Sequence, residues 1–261
     1  MWTNLQLREI FHLTFLRWLG HKVKANSYAL KGGGNLRFFF KSFRYSEDID
    51  LDIRGIAVVT LRDLVMQILL ARSFYDNFKL FGIARVIPPD LRKAKQTETT
   101  QRFKVHLMTS AGHDLLTRIE FSRRSMEKGV VTEPVSDTIL RSYKLPPMLI
   151  PHYDIQSAVV QKVVAIASRS VIQARDVFDL YILSSQYEVA MSVGEECQLP
   201  GKNKLDKAYD NLFQITFEQF RDTVVPYLEP EEQTGYDAPS SWDQVRLKVA
   251  NFVDELRKQH E

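Results

Sequence analysis

The chain has 261 residues, 44% of them apolar and 26% charged, a balance that fits a folded soluble protein and excludes a disordered one. One cysteine, Cys197, excludes an internal disulfide framework and a cysteine-cluster metal site. The net charge of +3 hides an asymmetry: residues 1–185 hold 27 Lys and Arg against 17 Asp and Glu, whereas residues 186–261 hold 8 against 15.

From the N-terminus, Leu5 to Leu19 has the spacing of an amphipathic helix, with Leu5, Phe11, Phe15 and Trp18 among its apolar positions. The segment SYAL is expected to be a short strand that enters a glycine turn, and NLRFFFKS a helix that leaves it. DIDLDI alternates strictly, so a strand is expected with Ile49, Leu51 and Ile53 on one face. Thr60 is a candidate N-cap for a helix to about Tyr75. KLFGIARVI, QRFKVHLMT and DLLTRIEFS are strand candidates, with Gly112 and His113 in a hairpin between the last two.

RSYKLPPMLI leads out through prolines that mark a domain boundary near 145–153. From Asp154 the period is helical, over 154–170, 174–184, about 204–226 with a break, and Ser241 to His260. The expectation is an α+β first domain, 1–150, followed by a helical domain, 151–261. No apolar run approaches a bilayer span and MWTNLQLREIFHLTF lacks a signal-peptide layout, so the cytoplasm is the expected compartment, with no membrane partner.

Chemistry concentrates in YALKGGGNLRFFFKSFRYSEDIDLDI, Tyr28 to Ile53. Asp48, Asp50 and Asp52 fall on alternate positions of one strand and so project together. Carboxylates this close need a cation, and hard oxygen ligands suit Mg²⁺. A charged, solvent-exposed edge strand fits the same pattern. Glycines at 32 and 33, between a strand and a helix, let main-chain N–H groups approach an anion, and Lys31 and Arg37 add positive charge; a plain flexible turn is the alternative. Ser46 stands two positions before Asp48, placed to meet a phosphate, to orient Asp48, or to cap the strand.

The combination LKGGGNLR…RYSEDIDLDI resembles the DNA polymerase β-like nucleotidyltransferase superfamily, and more closely the AbiEii/AbiGii toxin family of nucleotidyltransferases. The resemblance extends to VVQKVVAIASRSVIQARDVFDLYIL, which carries Lys162, Arg169, Arg175, Asp176 and Asp179 in the family's later helical motif. Gly34 and Asn35 stand where the family often has Thr-Ala. The resemblance implies a mixed-sheet nucleotidyltransferase domain followed by a helical one, and Mg²⁺ (or Mn²⁺) held by Asp48 and Asp50 with a third carboxylate from a neighbouring strand.

Glu120 is the candidate third carboxylate, and a surface role is its alternative. By resemblance, Lys31, Gly32, Gly33, Arg37 and Ser46 would bind the nucleotide, Lys162 would contact the triphosphate, and Asp176 would complete the site. Lys162, Arg175 and Asp176 could instead form an interhelical salt-bridge set, with Asp179 structural, capping or paired with an arginine.

The implied reaction is transfer of NMP from an NTP to an RNA acceptor, a tRNA 3′ end, by a type IV toxin with a cognate antitoxin. The basic 85–128 stretch, ten basic against five acidic residues, fits such a polyanion, as it fits a solvated face. A protein or small-molecule hydroxyl as acceptor, and a catalytically silent nucleotide- or RNA-binding module, are the alternatives. Six histidines show no metal-ligand pairing and are expected in core or solvent roles.

Overall fold

The structure, a computed structural model, describes residues 2–123, 126, 128–191 and 199–259, without the side chains of 188–191. Cys197, His260 and three residues of the basic 85–128 stretch lie outside the described residues. The chain divides into two compact units: Met1–Phe39 with Tyr45–Tyr153, and Phe40–Arg44 with Asp154–Glu261.

In the first unit, α1 (Asn4–Gly20) is followed by β1 (Tyr28–Lys31), α2 (Gly32–Phe39) and β2 (Asp48–Ile53). Next come α3 (Val58–Leu70), α4 (Arg72–Asp76), β3 (Ile83–Ile87), β4 (Thr100–Thr109), β5 (Asp114–Ser122), β6 (Val130–Pro134), α5 (Asp137–Ser142) and β7 (Leu149–Tyr153). The strands form one mixed sheet in the order β3-β4-β5-β2-β1-β7-β6. Strand β2 runs antiparallel to β1 and parallel to β5, and β1 runs parallel to β7.

The proline-containing exit segment is thus itself sheet: β7 pairs with β1, and β6 covers its other edge. Pro151 interrupted the apolar alternation that would have revealed β7, and β6 has no buried residue to give it a pattern. The helix assigned to Thr60–Tyr75 begins earlier, at Val58, without a side-chain cap, and breaks at Ala71 into α3 and α4.

The expected one-faced character of α1 is also corrected. Leu7, Ile10, Phe11, Leu13, Phe15, Leu16 and Leu19 are buried, and so are Glu9 and His12, because α3, β5 and β7 all pack against this helix. Thr3 closes its N-terminus in a capping box with Gln6. Ile49, Leu51, Ile53, Phe103, Ile119 and Phe121 join the same apolar core from the sheet. Phe38 is buried in it too, as expected, while Phe39 stacks on the His152 ring at 3.5 Å between centroids.

Three polar residues are buried in α1; Thr14 donates to the Ile10 carbonyl at 2.8 Å, and the other two reach groups outside the helix. Glu9 accepts from Arg37 Nε at 2.7 Å and from the Tyr143 hydroxyl at 2.5 Å. His12 Nε2 lies 2.7 Å from Thr117 Oγ1, which donates to the Glu47 carbonyl at 2.7 Å. The Thr117 proton being committed to Glu47, His12 must donate through Nε2–H. The chain is thereby anchored at the residue before Asp48.

Burial, aided by the Arg8 charge and opposed by the Glu47 carbonyl, pushes the His12 pKa down to about 3. The unfolded chain takes up this proton near pH 6.5, so stability is fully present above that pH and declines as pH falls towards 3. Wild-type stability, measured by urea unfolding, is expected to fall by up to about 1.4 kcal/mol per pH unit in this window. His12→Gln, which keeps an N–H donor for Thr117, should flatten that slope.

The second unit contains α6 (Ile155–Ser168), α7 (Ala174–Met191), α8 (Lys202–Leu212), α9 (Phe217–Thr223), α10 (Pro230–Tyr236) and α11 (Pro239–Lys258). Its core includes Phe178, Phe220 and Trp242, the last two stacked at 4.4 Å between centroids. The sequence reading missed α10, an exposed two-turn helix with no buried residue and hence no apolar period.

Candidate active site

Strand β2 is polar on one face for a reason its neighbours make clear. Directly paired residues on adjacent strands share a face, so the registers Lys31↔Asp50, Asp50↔Glu120 and Glu120↔Arg102 define one rung of charges across β1, β2, β5 and β4. The next rung is Asp48↔Arg118↔Lys104. Asp48, Asp50 and Glu120 therefore lie on the same side of the sheet, opposite the apolar core of Ile49, Leu51, Ile119 and Phe121.

Cations from neighbouring strands hold Asp48, Glu120 and also Asp52. Arg118 Nη2 donates to Asp48 Oδ2 at 2.5 Å, Arg102 Nε to Glu120 Oε2 at 2.5 Å, and the Lys31 ammonium pairs with Asp52. Arg118 is two positions before Glu120 on β5, but its carboxylate partner is Asp48 on β2. Desolvation works against the Arg118 charge, but the fields of Asp48, Glu120 and Asp50 outweigh it and raise its pKa.

Asp52, the third acid of β2, takes a supporting role. It is buried, bound by Lys31 on one oxygen and by the Tyr153 hydroxyl at 2.6 Å on the other. Lys31, expected to meet phosphate, spends its charge on Asp52 in this structure.

At Gly32 the chain turns from β1 into α2 with φ +67°, a conformation that glycine adopts freely. A Cβ there would lie 2.8 Å from Asp50 Oδ2, so the turn is pressed against the second aspartate. Asn35, three residues on, is buried; its amide donates to the Tyr153 carbonyl at 2.9 Å and its oxygen lies 2.9 Å from His152 Nδ1. The first turn of α2 is thereby tied to β7, at a position where the family resemblance departs. Ser46 donates to the Asp48 carbonyl at 2.9 Å, so it orients this aspartate's main chain. Arg37, expected among the phosphate ligands, is turned inward to buried Glu9, its guanidinium 4.4 Å from the Tyr45 ring centre.

In the second unit Lys162 is buried, its ammonium 3.0 Å from Asp176 Oδ1 and 2.6 Å from Asp179 Oδ2. Arg44 forks onto Asp179 at 2.9 and 3.0 Å, and Arg169 Nε lies 2.8 Å from Asp176 Oδ2. Burial opposes charge on both Lys162 and Asp179. The carboxylates raise the Lys162 pKa nevertheless, and Arg44 and Lys162 lower that of Asp179. The cluster ties α6, α7 and the Phe40–Arg44 segment together. Arg175, a candidate member, instead donates to Gln173 on the surface.

Among the described residues, no three His, Cys, Asp or Glu side chains are gathered closely enough to enclose a metal ion. Mg²⁺ does not need such a cage, since one or two carboxylates and the substrate phosphates complete its shell. Two aspartates on one face, with a glycine turn against one of them, fit an ion that arrives with a nucleotide.

A family model described as nucleotidyl transferase AbiEii toxin, type IV TA system, matches residues 14–245. This chain belongs to the AbiEii nucleotidyltransferase toxin family. The match takes in β1, α2 and β2 as well as the motif on α6 and α7. No curated protein gives a significant sequence match.

Solved structures agree with the AbiEii fold. A Helicobacter pylori protein assigned to the nucleotidyltransferases superimposes with a TM-score of 0.58 at 17% identity, over 99% of this chain and 97% of that one. JHP933 from Helicobacter pylori gives 0.56 at 18% identity, over 99% and 94%. MenT4, the nucleotidyltransferase toxin Rv2826c from Mycobacterium tuberculosis H37Rv, gives 0.56 at 17% identity, over 96% and 83%. These likenesses are of fold, and they bear out the expected α+β class with a mixed sheet. The AbiEii motif flagged the acids and glycines in the sequence. It did not flag Arg102, Lys104 and Arg118, which only strand register brings beside them.

Proposed function

We propose that this AbiEii family member transfers NMP from an NTP to a hydroxyl of RNA, at a tRNA 3′ end, with Mg²⁺ or Mn²⁺ bound by Asp48 and Asp50. The observation that carries the reading is the placement of both aspartates on one sheet face, with the Gly32 turn against Asp50. Glu120, the register partner of Asp50, is the proposed third metal-facing carboxylate. When bound, the divalent ion would neutralise the triphosphate and lower the pKa of the attacking hydroxyl.

The chain's own residues supply positioning. Gly32 and Gly33 leave main-chain N–H groups at the start of α2 open to a phosphate. Ser46 and the His12–Thr117 relay fix the main chain at Asp48 and Glu47. Lys31 neutralises Asp52, the third acid of β2. Lys162 and Asp176 enter the proposal on the resemblance of their motif, as residues that transfer requires. Arg37 enters only as support for α2.

An RNA acceptor is supported by the excess of base in residues 1–185 and by the exposed Arg85 and Lys104 and half-exposed Arg102 and Arg118 on β3, β4 and β5. Phosphate contacts of this kind dominate nucleic-acid affinity. The proposal places the reaction in the cytoplasm, under control of a cognate antitoxin. No helix among the described residues is long and apolar enough to cross a membrane.

The test is incubation of the purified protein with total RNA, a protein extract or a small-molecule pool, with each labelled NTP and Mg²⁺. Label in tRNA, lost on nuclease treatment and with EDTA, is the expected result. Label in protein or small molecules alone would overturn the RNA acceptor, and no pyrophosphate release from any pool would overturn the transfer reaction.

A further inference from the structure

Arg118 has an arrangement that a surface ion pair does not need. It sits on β5 in the rung of Asp48, next to the rung of Asp50 and Glu120, and the charges of all three acids act on it. Among the described residues its one carboxylate partner is Asp48, met through Nη2. Nε is shut off from solvent and has no hydrogen-bond partner among the described residues. A buried guanidinium donor left unpaired is costly, and the planar fork is shaped to hold an anion through two donors at once. One end of Arg118 is thus engaged by a proposed metal ligand, and another is in reserve.

Arg118 Nη2 holds Asp48 Oδ2, and a divalent ion entering the site would compete for that oxygen. Resting on the nucleotidyl-transfer reading above, we infer that Arg118 is the site's internal counter-ion. It neutralises Asp48 in the nucleotide-free protein, yields that oxygen to the divalent ion entering with the NTP, and turns its guanidinium to the triphosphate. No covalent step is involved; one charge pairing replaces another. Lys104, the register partner of Arg118 on β4, adds a second cation on the same face. The arrangement would keep Asp48 from gathering metal without substrate, so that ion and nucleotide bind together.

The test is calorimetric titration of the full chain with Mn²⁺ alone, then with a non-hydrolysable NTP analogue at saturating Mn²⁺. Arg118→Met, which keeps length without charge, should bind Mn²⁺ about tenfold more tightly than wild type and the analogue about tenfold more weakly. Arg118→Lys, retaining charge but not the fork, should show a smaller change in the same two directions, and it serves as the test if the methionine variant does not fold by circular dichroism. Mn²⁺ affinity equal to or below wild type in a folded variant overturns the counter-ion role. Unchanged analogue affinity overturns the phosphate contact.

Asp48→Asn separates the inference from the reading beneath it. Its loss of Mn²⁺ binding, together with unaltered Arg118 variants, sinks only the inference. Wild-type Mn²⁺ binding by Asp48→Asn sinks the metal reading itself.

Discussion

Asp50→Asn is expected to lower nucleotidyl transfer by at least about a thousandfold, close to 4 kcal/mol of barrier, with far-UV circular dichroism unchanged. The amide preserves the shape of the side chain pressed against the Gly32 turn, where a Cβ would already be 2.8 Å from Asp50 Oδ2. What it removes is the negative charge that a hard divalent cation requires. Asp48→Asn should lose activity comparably, since the proposed function sets both aspartates on one ion. The double variant should therefore fall little below either single one, because groups that work as a unit are not additive. Labelled NMP incorporation at saturating NTP measures both; retention of more than about a tenth of wild-type activity in Asp50→Asn would refute the assignment.

The largest stability effect is expected at Asp179. This carboxylate is fully buried and holds Arg44 through two hydrogen bonds and Lys162 through an ion pair at 2.6 Å. Asp179→Ala would leave two cations in the interior with only Asp176 to share, and should destabilise the protein by about 3–5 kcal/mol, read as a shift in the urea midpoint. Lys162→Met is expected to cost less. It removes one cation from a cluster of three cations and two carboxylates, and Arg44 and Arg169 still answer Asp179 and Asp176.

The two variants also separate a structural from a catalytic part for Lys162. Full transfer activity in folded Lys162→Met, assayed well below its melting temperature, would assign this residue to the cluster alone. Loss of activity in folded protein is the outcome its motif leads one to expect.

Much of the local structure could be read from residue pattern. DIDLDI alternates because one face meets α1 and the core, and its strand spans Asp48–Ile53 as the alternation indicates. The hairpin at Gly112 and His113 follows from two alternating runs and a turn. Where burial was two-sided, in α1, the pattern gave the helix but not its enclosure, and where burial was absent, in β6 and α10, it gave no element. The motif also named Asp48, Asp50, Lys162 and Asp176, since residue type and order are properties of the chain.

Partners were beyond its reach. Arg37 follows the glycine turn in sequence exactly as a phosphate ligand would, yet it belongs to Glu9, 28 positions away. Arg118 comes to Asp48 across 70 positions and Arg44 to Asp179 across 135. By itself the sequence determined the family, the strand that carries the acids and the need for a cation beside them, because charges at alternate positions of a strand must share a face. Only the tertiary structure decided which cations answer that need, because the register between β2, β5 and β4 is set by packing of the apolar face on the other side of the sheet.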